Sequence, residues 1–299
     1  MLGGLLGSTD LGISGSTLVY GLIGDPVDHS LSPAIQNAAF RSAGLDAIYL
    51  AFQVRQAELR WAVEGLKCLN VKGFNVTTPH KMAVLRYLDE VETEAAEIGS
   101  INTVKNEGDA LTGFNTDGAG AMNAMETAGI IPDRRSVLLL GAGGAGRVIA
   151  HALAGRGCSL KVANRTASSA RRLAKSLHEK FDVKMNTIPL SRQALKDSVA
   201  EADIILNASS MGMDGKHNPP IDRRWIRGDH CVFDTVYRPV RTKLLQDAIS
   251  AGARTITGLD MLVNQGACSF TIWTGRKAPI GEMRRAITKK LISENATSR

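Results

Sequence analysis

The chain has 299 residues, 44% apolar and 22% charged, a globular make-up long enough for two domains that excludes a disordered or fibrous protein. Its net charge of +7 is spread in short clusters such as Arg171-Arg172 and Lys289-Lys290, and aromatics are only 5%, which argues against a nucleic-acid surface and suits an anionic substrate. No apolar stretch reaches the ~18 residues of a membrane span, and the four cysteines and six histidines lack CxxC, HxxxH or HExxH spacing, so neither a membrane segment nor a metal is expected.

Residues 1–17, rich in Gly and Ser without a basic start, read as a flexible N-terminal extension rather than a secretory signal. Val19–Ile23 is a short apolar strand ending at Gly24-Asp25-Pro26. Ser32-Pro33 opens a helix, with Ser as N-cap and Pro in the first turn. Ala47–Val54 is a strand, Ala57–Leu66 a helix and Gly73–Thr77 a third strand, after which Pro79-His80-Lys81 starts another helix. Strands alternating with helices predict a mainly parallel sheet. The boundary falls in a helix around Asp117–Gly129, and a second series begins near Ser136.

In that second series Val137–Leu140 is apolar throughout, as expected of a strand buried on both faces. A helix over Gly144–Gly155 and strands at Ser159–Ala163, Asp203–Asn207, Val232–Thr235 and Arg254–Thr257 follow. Two last helices, about Met261 to Ile292 and separated at Pro279, are expected to pack back on the first half. The reading is therefore a two-domain α/β protein. An N-terminal substrate domain spans 18–118 and is completed by 261–299; a C-terminal Rossmann-type dinucleotide domain spans 119–260.

Gly141-Ala142-Gly143-Gly144-Ala145-Gly146 fits GxGxxG and lies directly after a buried strand, opening a helix. The first glycine permits the tight turn, the second lets backbone approach a pyrophosphate, and the third lets helix pack on strand. The helix N-terminus then presents free N–H groups and a positive dipole end to phosphate. At the end of the next strand stands Asn164-Arg165-Thr166, where an NAD enzyme usually carries an acid for the ribose hydroxyls. A guanidinium attracts a 2′-phosphate that a carboxylate would repel, so the expected cofactor is NADP(H).

The first half carries Ser30-Leu31-Ser32, Asn75 to Lys81, Ile101-Asn102-Thr103 and Asn115-Thr116-Asp117-Gly118, each at a predicted strand end or helix start. Singly, Ser32 is also a plain N-cap and Lys81 a surface cation; together they suit a polyhydroxylated acid. With Gly258-Leu259-Asp260-Met261-Leu262-Val263-Asn264-Gln265, these ordered motifs resemble the shikimate dehydrogenase family from about Val19 onward. The resemblance implies reversible NADPH-dependent reduction of 3-dehydroshikimate to shikimate, in aromatic amino-acid biosynthesis, by a cytoplasmic monomer or homodimer. It implies Lys81 and Asp117 as the catalytic pair, Ser30, Ser32 and Tyr237 around the substrate carboxylate, and Thr77, Asn102 and Gln265 on ring hydroxyls. Thr235, Gly258 and Asn207 would line the nicotinamide side, with loop capping the competing role for Asn207. Two positions depart from the family's pattern: Ser169, where a second basic residue is common, and Asp260, where many members have Gly. A relative acting on quinate or on an aminated analogue (aminoshikimate) is the nearest alternative, and Ser32, where quinate-active relatives tend to carry Thr, favours shikimate. A non-catalytic sensor on the same fold would have lost Lys81 or Asp117.

Overall fold

The computed structural model describes residues 12–213, 215 and 217–297. Residues 1–11 of the expected extension lie outside the described residues, whereas Thr17 is tied to the body through its hydroxyl, which donates to Asp46 Oδ1 at 2.7 Å.

The first half runs β1 (Leu18–Gly24), α1 (Ser32–Ser42), β2 (Ala47–Gln53), α2 (Leu59–Cys68), β3 (Gly73–Val76), β4 (Glu90–Val91), α3 (Thr93–Ile98), β5 (Thr103–Asn106) and β6 (Leu111–Phe114). These strands form one sheet in the order β2-β1-β3-β5-β6-β4. The β1–β2, β1–β3 and β4–β6 pairs are parallel, as expected. The β3–β5 and β5–β6 pairs are antiparallel, so the sheet carries a hairpin that the strand–helix alternation did not announce.

Two local expectations are corrected. The segment from Pro79 does not begin an α-helix: it turns, and only a short 3-10 helix follows at Ala83–Tyr87. The carbonyl of Lys81 accepts from the Ile101 amide at 2.8 Å, and His80 Nε2 lies 2.6 Å from the Val54 carbonyl, so the loop is bonded to neighbouring elements instead of to its own next turn. Nor is Ser32 an N-cap. It is the first residue of α1, and its backbone N–H donates to Ser30 Oγ at 3.2 Å, which leaves the Ser32 hydroxyl free of capping duty.

The second half runs α4 (Asp117–Thr127), β7 (Ser136–Leu140), α5 (Gly144–Gly155), β8 (Ser159–Ala163), α6 (Ala167–Lys180), β9 (Met185–Ile188), α7 (Arg192–Glu201), β10 (Ile204–Asn207), β11 (Cys231–Asp234), α8 (Lys243–Ser250) and β12 (Arg254–Ile256). Its six strands are all parallel, ordered β12-β11-β10-β7-β8-β9. Strand order reverses between β7 and β10, and ligands bind at the carboxyl ends of strands at such a switch point. The glycine-rich turn sits there, directly after β7.

The chain then returns through α9 (Gly258–Thr274) and α10 (Ile280–Thr297). Phe270, Trp273, Met283 and Ile287 from these helices are buried with Tyr20, Phe40 and Tyr49 of the first half, as expected of helices that pack back. Trp273 lies so close over β3 that a Cβ at Gly73 would fall 2.3 Å from its Nε1, and that indole N–H donates to the Val104 carbonyl at 2.9 Å.

Candidate active site

Between the carboxyl ends of the two sheets lies a cavity of about 290 Å³, floored by α9. The β1–α1 loop brings Ser30 and Ser32 to it, and the end of β3 brings Thr77. Lys81 comes from the turn beyond, Asn102 from the start of β5, Asp117 from the start of α4, and Tyr237 and Gln265 from the returning chain. All the residues expected to act on substrate thus share one cavity. Ala145, Thr235 and Gly258 line it as well.

Lys81 Nζ donates to Asp117 Oδ2 at 2.6 Å, with side chains 25% and 9% exposed. Asp117 opens α4, where the helix dipole favours a negative charge. Its other oxygen accepts from Asn102 Nδ2 at 2.8 Å. The orientation of the Asn102 amide follows from its partner, since Oδ1 accepts from the Thr116 backbone N–H at 2.8 Å and only Nδ2 can then face the carboxylate. Asn102 therefore aims Asp117, and Asp117 holds the ammonium in the cavity.

Behind this pair runs a buried polar network that joins Asn75, Asn102 and Thr103 of the sequence motifs to Tyr49 and Ser269, which sequence reasoning missed. Asn75 Nδ2 lies 2.9 Å from the Asn102 carbonyl, 3.0 Å from Thr103 Oγ1 and 3.0 Å from Ser269 Oγ, so its Oδ1 is the acceptor for the Tyr49 hydroxyl at 2.7 Å. Thr103 and Ser269 share a further bond of 2.8 Å. Buried groups of this kind cost little when every member is paired and a great deal otherwise. Asn75 lines the cavity itself. Tyr237 packs beside apolar groups, and burial pushes its phenol up, so it stands in the cavity wall as a neutral hydroxyl.

The remaining expected cofactor residues do not line the cavity and lie at the turn after β7 and the end of β8. Gly141 has φ +107°, a conformation that L side chains rarely adopt, and a Cβ at Gly146 would stand 2.2 Å from the Gly141 carbonyl oxygen. At Gly143 and Gly144 a Cβ would meet nothing within 4 Å, so the N-terminus of α5 opens on space of the kind a pyrophosphate fills. Asn164 spans the crevice: Oδ1 accepts from the Ala142 N–H at 3.1 Å and Nδ2 donates to the Thr166 carbonyl at 2.9 Å. Arg165 is exposed at the same edge. One turn on, Ser169 Oγ accepts from Arg172 Nη2 at 3.1 Å, so a guanidinium stands at this departure from the family pattern.

Asn207 does not reach the cavity. It is fully buried, and its amide holds the Met211 carbonyl, Asp234 Oδ1 and the Ser209 hydroxyl, so it folds the loop after β10. Asp234 also accepts from Thr242 Oγ1 at 2.7 Å; burial without a neighbouring cation pushes its carboxyl up. Asp260 has a clear role here. It completes a capping box with Thr257 at the start of α9 and pairs with Arg284 of α10, fixing the helix whose first residue, Gly258, abuts Thr235.

A doubly wound parallel sheet with a glycine cradle at its switch point, facing a polar cavity with a lysine–aspartate pair, defines a two-domain dinucleotide-dependent oxidoreductase. Family models agree: the shikimate dehydrogenase substrate binding domain matches residues 22–104, shikimate/quinate 5-dehydrogenase 126–214, and the shikimate 5′-dehydrogenase C-terminal domain 258–288. The NADP(+) shikimate dehydrogenase of Moorella thermoacetica is 44% identical, over 93% of this chain and 95% of that protein. Among solved structures, Thermus thermophilus shikimate 5-dehydrogenase with NADP(H) and shikimate is 35% identical, with TM-score 0.83 over 91% of this chain and 99% of that one. A ligand-free 5-ketofructose reductase of Gluconobacter is 33% identical, with TM-score 0.84 over 92% and 99%. The chain belongs to the shikimate dehydrogenase family.

Proposed function

We propose that this protein is an NADP-dependent shikimate dehydrogenase, interconverting 3-dehydroshikimate and shikimate on the route to chorismate and the aromatic amino acids. The observation that carries the reading is the 2.6 Å Lys81–Asp117 pair, facing a cavity that adjoins the glycine cradle. NADP(H), when bound, supplies or accepts the hydride. Lys81 donates to the substrate carbonyl oxygen as negative charge grows there and hands over or recovers a proton; Asp117 keeps the ammonium aimed and accepts a proton in the reverse direction. Ser30, Ser32 and Tyr237 offer hydroxyls to the substrate carboxylate, and the Thr77 hydroxyl and the amides of Asn102 and Gln265 meet its ring hydroxyls. Gly141 to Ala145, Asn164, Arg165 and Thr166 would hold the cofactor's phosphates and ribose, and Thr235 and Gly258 would line the side of the nicotinamide.

In this reading residues 18–118, completed by 261–299, form the substrate domain and 119–260 the cofactor domain, in a cytoplasmic protein. The test is NADP+ reduction followed with shikimate and quinate side by side. Robust turnover of shikimate with little of quinate is expected. A preference for quinate would overturn the choice of substrate and move the chain to the quinate branch.

A further inference from the structure

The formal charges on the cavity wall cancel. Among the described residues that line it, Lys81 and Asp117 are bound to each other at 2.6 Å, and the other basic side chain, His29, is exposed. Arg238 does not line the cavity, and its Nη2 is committed to Glu294 Oε2 at 2.9 Å and to the carbonyl of the lining residue His29 at 3.4 Å. The N-terminus of α1, which rises from the Ser30–Ser32 corner, offers an anion little. Of its first three backbone positions, Ser32 gives its N–H to Ser30 Oγ and Pro33 has none, which leaves Ala34. An acidic substrate is therefore met at that corner by neutral hydroxyls from Ser30, Ser32 and Tyr237, with no counter-ion of its own.

A corner built in this way recognises the shape and hydrogen-bonding edge of a planar carboxyl group more than its charge. We infer that the cavity also takes uncharged polyhydroxylated cyclic alcohols and ketones, represented by the primary carboxamide of shikimate. The amide has the outline of the acid, with an oxygen to accept from the serine or tyrosine hydroxyls and an NH2 to donate to a serine oxygen. This inference rests on the shikimate reading, because the reacting carbon is the same. The reaction balances as it does for the acid: the secondary alcohol loses hydride to NADP+, its hydroxyl proton leaves through the Lys81–Asp117 pair to solvent, and ketone, NADPH and a proton result. The Gluconobacter relative bears on the argument only in that its named substrate, a keto sugar, has no carboxylate.

The experiment compares shikimate with its carboxamide under NADP+, together with calorimetric binding of each compound to the cofactor-free protein. Losing charge assistance at one or two hydrogen bonds is expected to raise KM and Kd about ten- to a hundredfold. The kcat is expected to stay within about threefold, since the lost interactions lie away from the reacting carbon. Binding of shikimate is correspondingly expected to weaken only slightly between low and high salt. A carboxamide kcat/KM lower by more than about a thousandfold, the penalty of stripping a buried ion pair of one partner, would overturn the neutral-corner inference while leaving shikimate turnover intact. If shikimate itself is not turned over, the reading of the substrate fails first, and that outcome is separately visible.

Discussion

Replacing Lys81 by Ala removes the ammonium from a pair whose partner, Asp117, is 9% exposed and also held by Asn102. Breaking a fully buried pair costs about 3–5 kcal/mol in stability, and because the Lys81 side chain is a quarter exposed, water recovers part of that, leaving about 1–2 kcal/mol. The effect on rate is expected to be larger. A positioned proton donor contributes about 10²–10⁴-fold, so kcat falls by ~10² or more, while the shikimate KM stays nearly unchanged because the contact matters most as charge moves. Steady-state kinetics with shikimate and NADP+, run beside thermal melts of the same preparation, separates the roles. If Lys81 is only a structural partner of Asp117, the melting temperature drops and kcat does not. A kcat within about threefold of the parent would refute the catalytic assignment. Asp117→Asn is expected to be comparably impaired, since its NH2 must face another donor, Lys81 or Asn102, and cannot take up a proton.

Arg165→Ala is expected to weaken NADP+ binding by about ten- to a hundredfold and NAD+ binding far less, read by fluorescence titration; equal losses for both cofactors would remove Arg165 from the phosphate site. Ser32→Ala is expected to raise the shikimate KM about tenfold or more with an unchanged melting temperature, whereas Ser30→Ala also lowers the melting temperature, because Ser30 is the residue that accepts the Ser32 N–H. A stability loss confined to the Ser32 variant would reverse that assignment. His151 and His230 are buried, and burial, with Lys180 beside the first and Arg227 beside the second, lowers both imidazoles below the ordinary 6.5. The unfolded chain then binds protons first, so stability is complete above about pH 6.5 and falls as pH drops toward the folded-state values. Melts from pH 8 to 5 are expected to show this decline, shallower in His230→Asn; a decline of the same depth in that variant would exclude His230 as a source.

How far the sequence could be read depended on how local the signal was. The glycine turn is legible because its strand, its three glycines and the start of its helix lie within eleven residues of chain, Ser136 to Gly146. Lys81 and Asp117 were identified from separate motifs, and only the fold shows that they touch. The β5–β6 hairpin was missed because its strands are four residues each and turn through Glu107-Gly108-Asp109 between polar motifs that read as ligand loops. Strand β9 was missed for a related reason: it is a half-exposed edge of four residues with no apolar run. Asn75 and Thr103 stood in motifs that read as ligand loops, but their link to Ser269 could not be seen, since Asn75 and Ser269 are 194 positions apart. The turn at Pro79 carries a good helix-start pattern, and it was tertiary hydrogen bonding, to Val54 and Ile101, that overrode it.

The return of α9 and α10 to the first sheet also sets the order in which the molecule can be completed. Strands β7 to β12 and their helices are contiguous in sequence, so everything that the second sheet needs within itself has been synthesised by Ile256. The first sheet is different. Tyr20, Phe40 and Tyr49 have been made within the first fifty residues, yet their apolar neighbours Phe270, Trp273, Met283 and Ile287 come from the last thirty. On a ribosome adding residues from the N-terminus, the usual sequence of domain formation is inverted. The part begun first keeps an open apolar face until α9 and α10 have been made, and a nascent chain stopped before residue 270 would have one finished half and one that cannot close.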